Sequence, residues 1–180
     1  GDGRLLVFTA CAGIDGSYGT RTGVGSCDLF QSDYNVLSSS YNDAANLEEL
    51  NSAKWESQPA LSADGQFLFF VRAFRSTDTG EVVQDIYVSE RSDEGSWLPA
   101  VPLPGVINSK GKEENPFLHS DGVSLYFASD GLPGMGGMDL YVSRKQNDGT
   151  WSEPENLGYP INTHGDENSL QVFADGSHAI

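Results

Sequence analysis

Three aspartates open the same short pattern, Asp-hydrophobic-aromatic-x-Ser, at Asp28 to Ser32, Asp85 to Ser89 and Asp139 to Ser143. Carboxylates that recur so regularly invite a cation-binding reading, and Gly134-Met135-Gly136-Gly137-Met138-Asp139 has the glycine and aspartate content of a calcium turn. Calcium, however, gathers about 6–8 oxygens at one point, and repeat calcium sites stack a turn roughly every nine residues. Asp28, Asp85 and Asp139 come only once in more than fifty residues. The spacing favours strand-entry aspartates that accept turn N–H groups, and neither a metal nor a cofactor is expected. His119, His164 and His178 show no metal-ligand spacing and read as surface or strand-edge residues.

Nucleophilic chemistry finds little support. A G-x-S-x-G elbow is absent, since Gly16-Ser17-Tyr18-Gly19 brings its second glycine one residue too close. Adjacent carboxylates occur at Glu48-Glu49, Glu113-Glu114 and Asp166-Glu167. A glycosidase would need two of them converging at about 5–9.5 Å with one pKa raised. Glu113 and Glu167 each stand eight residues before an Asp-Gly pair, so a repeat accounts for them without catalysis. Phe69, Tyr87, Trp97, Phe127, Tyr141 and Trp151 also recur in phase, as core residues do, whereas Trp55 lies outside the pattern and is expected at the surface as a contact candidate.

These residues are carried by a repeat. The Asp-led pattern returns after 57 and then 54 residues, in step with Asp-Gly at Asp2-Gly3, Asp64-Gly65, Asp121-Gly122 and Asp175-Gly176. Trp97 and Trp151 each lie 12 residues after the repeat Asp and 11 before Asn108 and Asn162, with Leu103 and Leu157 in register between them. The first copy has Ser40 at the Trp position and Tyr41 beside it. Each unit reads as four short strands: a first beginning near Pro59 or Pro116, an Asp-Gly turn, and a half-buried second such as Leu125 to Ser129. A Gly-rich connection then leads to a third strand such as Asp139 to Arg144, and a Trp-led fourth ends near Leu157. Ala44 to Leu50 is the best helix candidate, one or two turns at most. Four antiparallel strands repeated at this period predict an all-β fold, a β-propeller with about three blades present, at residues 1–50, 51–107, 108–161 and the start of a further one at 162–180. A less favoured arrangement pairs Leu170 to Phe173 beside Leu5 to Thr9 to complete the first unit.

Composition narrows the partners. With 26 acidic and 10 basic residues the net charge is −16, a field that repels phosphate backbones and anionic headgroups. Nucleic acid and membrane-surface binding are disfavoured, and the longest apolar run, Phe67 to Val71, is far short of the ~20 residues that span a bilayer.

Several stretches, Trp55 to Gly65, Leu125 to Gly131 through Gly134 to Tyr141, and Trp151 to Gly158 with Ile161-Asn162-Thr163, resemble the TolB-type WD-repeat-like β-propeller repeat. They are similar in particular to its version in OmpA-family cell-envelope proteins. The resemblance covers nearly the whole chain and implies a periplasmic module, associated with the outer membrane through parts not present in this sequence. It implies envelope proteins as partners, with peptidoglycan reached only through an OmpA-like domain that these residues lack. The expected function is a non-enzymatic scaffold for protein–protein interaction in an envelope complex, the alternative being a carbohydrate-binding or glycoside-cleaving propeller. In unit alignment Cys11 matches Ala73 and Asp130 at the end of the second strand, and Cys27 matches Gln84 and Met138 at the start of the third. The two cysteines thus face each other across one hairpin neck and predict a disulfide, which an oxidising periplasm permits.

Overall fold

A computed structural model describes residues 3–14 and 16–180 of the chain. Asp2, the carboxylate of the first Asp-Gly pair, lies outside the described residues. The fold is all-β, with twelve strands and no helix among the described residues. In chain order they are β1 (Leu5–Cys11), β2 (Cys27–Asn35), β3 (Ser40–Tyr41), β4 (Ala45–Asn46), β5 (Trp55–Leu61), β6 (Phe67–Arg75), β7 (Val82–Glu90), β8 (Val101–Pro102), β9 (Glu113–Leu118), β10 (Ser124–Ser129), β11 (Asp139–Arg144) and β12 (Glu155–Asn156).

Strands β9 to β12 form one antiparallel sheet in the order β12-β11-β10-β9. The other eight form a mixed sheet, β1-β2-β5-β6-β7-β8, with β3 and β4 both on β2. That mixed sheet consists of two antiparallel groups joined by a single parallel bridge, Cys27 to Trp55. An equivalent parallel bridge, Gln84 to Lys112, ties β7 to the residue ahead of β9. Neither sheet closes on itself. The Asp-Gly turns behave as their chemistry requires: Gly65 and Gly122 take φ values of 72° and 73°, and the Asp64 and Asp121 carboxylates accept from the Gln66 and Val123 amides.

The apolar residues of one unit pack on those of the next. Leu29, Leu47 and Leu50 of the first unit meet Leu68, Phe70 and Trp97 of the second. On its other face the second unit offers Phe69, Val71, Ile86, Leu103 and Ile107 to Leu118, Leu125, Phe127 and Tyr141 of the third. This two-sided burial is why β6 carries the unbroken run Leu68 to Val71, all buried, where a one-faced strand would alternate. Inside each unit an aromatic pair stacks directly across the second and third strands: Phe8 on Phe30 at 5.9 Å, Phe70 on Tyr87 at 5.9 Å and Phe127 on Tyr141 at 6.0 Å.

Several expectations are corrected. The first strands begin earlier than Pro59 and Pro116, at Trp55 and Glu113, and the prolines sit inside them at bulges. Trp97 and Trp151 do not open full fourth strands; each makes an isolated bridge, to Arg91 and Lys145, and only two-residue strands follow at β8 and β12. Pro99, Pro102, Pro104 and Pro154 explain this, because each removes a ladder donor. Ala44 to Leu50 is not helical but supplies β4 and a single turn closed by Leu50 N–H on the Leu47 carbonyl. The second unit has no Gly-rich connection, since β6 and β7 continue as one long hairpin to the Arg75–Val82 pair. Residues 171–173 pair with 178–180 rather than with β1.

Cys11 and Cys27 form a disulfide, with their Cα atoms 3.9 Å apart. They are a directly opposed pair at the end of the β1–β2 ladder, and Ala12 N–H donates to the Ser26 carbonyl just beyond. That pattern defines a non-hydrogen-bonded pair, the closer of the two antiparallel pair types, and the separation is tighter than the roughly 4.4–6.8 Å usual for bridged cysteines.

Candidate functional site

The repeated carboxylates are best followed from a brace that recurs three times. Asn51, Asn108 and Asn162, separated by the same 57 and 54 residues as the aspartates, each clamp a backbone group in the third strand of the preceding unit. Asn51 Oδ1 accepts from Leu29 N–H at 2.8 Å while its Nδ2 donates to the Leu29 carbonyl at 2.8 Å. Asn108 does the same to Ile86, at 2.9 and 3.0 Å, and Asn162 to Leu140, at 2.8 and 2.9 Å. The next residue is a hydroxyl, and four residues further on stands a glutamate that binds it. Glu56 takes Ser52 Oγ at 2.5 Å and Ser52 N–H at 3.1 Å, Glu113 takes Ser109 at 2.6 and 3.0 Å, and Glu167 takes Thr163 at 2.6 and 3.1 Å.

Glu56 and Glu113 are both completely buried and sit in different company. Arg72 Nε meets Glu56 at 2.7 Å, its Nη2 donates to the Leu50 carbonyl at 2.6 Å, and its guanidinium lies over the Tyr87 ring at 4.5 Å. In the third unit Ser129 occupies the Arg72 position and gives Glu113 one hydroxyl at 2.7 Å. Burial raises the Glu113 pKa against the pull of the Ser109 and Ser129 hydrogen bonds, and the Asp85 carboxylate adds to the rise. Each serine of the Asp-led pattern fastens the next connection: Ser32, Ser89 and Ser143 donate to the Asn42, Leu98 and Ser152 carbonyls at 2.5, 2.6 and 2.7 Å.

The three aspartates divide. Asp28 accepts from the Val24 and Gly25 amides and from Asn46, and Asp139 accepts from the Met135 and Gly136 amides. Gly25 and Gly136 are needed there because a Cβ would strike the Lys54 and Gly165 carbonyls. Asp85 departs from the turn role: it lies mid-strand, three residues inside β7, opposite Arg72, with no turn amide on it. Burial raises its pKa, and Lys54 opposes the rise. Asp139 Oδ1 is buried without a partner, yet no group of three or more His, Cys, Asp or Glu side chains that could hold a metal gathers among the described residues.

Among the aromatics, Trp97 is buried and its Nε1 donates to Gln31 Oε1 across the unit boundary at 2.9 Å. The equivalent of Gln31 for Trp151 is Val88, which offers no acceptor, and Trp151 is only half-buried. Tyr87 is likewise partly exposed. Trp55, expected at the surface, is instead half-buried in β5 and packs on the core between the second and third units. It opens the strand at its parallel bridge to Cys27, and that pairing holds it in place. His119 bridges Asp121, at 3.1 Å, and the Phe173 carbonyl, at 3.0 Å.

A groove of about 320 Å³ opens where the first strands converge. Gln58 to Leu61 of β5, Asn115 to Phe117 of β9 and Ser169 to Gln171 line it. Both strands bulge here by one residue, and Gln58 and Asn115 adopt φ values of 52° and 50°. Left-handed non-glycine residues are costly by about 1 kcal/mol or more and persist where surroundings hold them. Gln58 Oε1 accepts the Asn115 N–H at 2.8 Å, one such hold.

Sequence reasoning saw Asn108, Asn162, Glu113 and Glu167 without connecting them to Asn51 and Glu56, although the repeat spacing carries all six. It missed the groove, whose signal is the same spacing applied to Gln58, Asn115 and Ser169. No family model matches the chain, and no curated protein matches it.

Proposed function

We propose that the units are blades of a β-propeller and that the chain serves as a non-enzymatic periplasmic scaffold, binding protein partners of a TolB-like or OmpA-like envelope complex. The observation that carries this reading is the convergence on one groove of two successive first strands, β5 and β9, and the segment 169–171 at the equivalent repeat position, as inner strands gather around a propeller axis. The recurrent glutamates support it further, because Ser52, Ser109 and Thr163 occupy them in an identical structural brace. The Cys11–Cys27 bridge is compatible with an oxidising compartment.

Two measurements test it. Spin labels at the equivalent outer-turn positions Leu37, Glu94 and Asp148 should give two similar neighbour distances and an end-to-end distance clearly short of their sum. A straight stack, with the end-to-end distance equal to the sum, refutes the propeller. A glycan array combined with a glycoside turnover screen should be blank while envelope proteins bind the disulfide-intact chain. Turnover abolished by Glu113→Gln would replace the scaffold with a glycosidase.

A further inference from the structure

We infer that the groove between the first strands is a recognition site for uncharged extended peptide, read through its amide groups, with Asn115 as the principal contact. The inference rests on the scaffold reading and specifies where and by what chemistry a partner is held.

The groove repeats one interaction and leaves its next step unfilled. Gln58, Asn115 and Ser169 occupy equivalent positions at the 57 and 54 residue spacings. Between the first two, the Gln58 carboxamide accepts the N–H of the Asn115 peptide group. Asparagine is one methylene shorter than glutamine, and no hydrogen bond links the Asn115 side chain to Ser169. The Asn115 carboxamide and the Ser169 N–H and hydroxyl therefore stand on the groove wall with their hydrogen-bonding capacity open. An incoming peptide group satisfies both, donating its N–H to Asn115 Oδ1 and accepting from Ser169, as the Asn115 peptide group already donates to Gln58. The bulge at φ 50° is what turns this position, since bulges re-aim side chains.

Charge selects the occupant. None of the ten lining residues is ionisable, in a chain of net charge −16. An anionic segment meets the repulsive field, and a cationic one, although drawn by that field, finds no counter-charge within the groove to offset its desolvation. Pro59 and Pro116 carry no N–H, so an added strand cannot zip along these edges. The peptide is held at spaced amide contacts, with Leu61, Phe117 and Leu170 supplying apolar wall.

The test uses the full chain and an array of end-capped, uncharged decapeptides, their acidic and basic counterparts, and cellohexaose as a neutral glycan, with affinities by fluorescence anisotropy. Neutral peptides should bind, and both Asn115→Gly, which keeps the left-handed backbone while deleting the carboxamide, and Asn115→Asp should weaken them at least ten-fold. Glu94→Gln, in an outer turn, should leave affinity unchanged. The Asn115 Nδ2 resonances should shift on titration. Undiminished affinity in both Asn115 variants overturns the site, as does exclusive binding of charged peptides or of cellohexaose. If no peptide binds while envelope proteins are still captured, the groove assignment fails and the scaffold survives.

Discussion

Among the described residues Arg72 is the one cation placed on a buried repeat glutamate, and removing it tests how the brace is balanced. Its side chain is 16% exposed and that of Glu56 is fully buried, so Arg72→Ala leaves a carboxylate in the interior with only Ser52 to solvate it. Breaking a buried pair by deleting one partner costs about 3–5 kcal/mol. The Leu50 carbonyl also loses its donor, and the contact over Tyr87 disappears. For a chain of this size about 2–4 °C of Tm per kcal/mol applies, so thermal unfolding should fall by roughly 6–20 °C. Arg72→Ser is the informative companion, because it recreates around Glu56 the environment that Ser129 gives Glu113. A hydroxyl bond to a charged group is worth about 1.5–3 kcal/mol, and the serine variant should recover that much of the loss. It should also acquire pH dependence. In the Glu113 environment the folded-state pKa is raised, so the native state binds the proton more tightly than the unfolded chain does. The deficit of Arg72→Ser should therefore be largest at neutral pH and shrink as pH falls into the carboxyl range. Chemical denaturation of both variants from pH 7 to 4 measures all three effects. Losses under about 1 kcal/mol for Arg72→Ala, or a serine deficit that widens on acidification, would refute the reasoning.

Gln31→Ala should cost about 1–3 kcal/mol, since it leaves the buried Trp97 indole N–H without an acceptor, whereas Val88→Ala should leave the Trp151 indole hydrogen bonding unchanged; urea unfolding and indole proton exchange distinguish them. Reducing the Cys11–Cys27 bridge should destabilise by about 3 kcal/mol in the chain-entropy model for a loop of about this size, read as a lower urea midpoint in reductant. Against the cost of burial, the Ser124 and Val123 amides, the Ser124 hydroxyl and His119 hold the Asp121 pKa down at about 2. Its stabilisation is present above the unfolded value of 3.8 and lost between there and about pH 2, and Asp121→Asn should flatten that acid-side slope.

The repeat was legible because it was written in residue types with one job each. The hydrophobic residue after each repeat aspartate is the clamped core position, the aromatic is the stacked partner, and the serine fastens the following connection. The disulfide was legible because two cysteines fell on facing positions of that pattern. Departures arose where one copy changes its turn without changing its motif: Asp85 keeps the motif but sits in an extended hairpin, so the turn role read from Asp28 and Asp139 does not transfer. Trp55 misled because its tertiary neighbours, not its periodicity, cover it. The groove was invisible to hydrophobic patterning because Gln58 and Asn115 are polar residues inside strands, and a left-handed bulge leaves no periodic trace.

The brace also means that a unit counted in strands is not a unit counted in hydrogen bonds. Leu29, Ile86 and Leu140 each lie in a third strand, yet the asparagine that satisfies both backbone groups belongs to the segment leading into the next unit. A protein cut after β12 at residue 161 would keep every strand of the third unit and still leave the buried Leu140 N–H without its acceptor and the Leu140 carbonyl with the Leu157 amide alone, by losing Asn162. The smallest piece that closes its own bonding runs through Asn162 and Thr163 to Glu167, and that offset, rather than the strand boundary, sets where the array can be divided or a unit inserted.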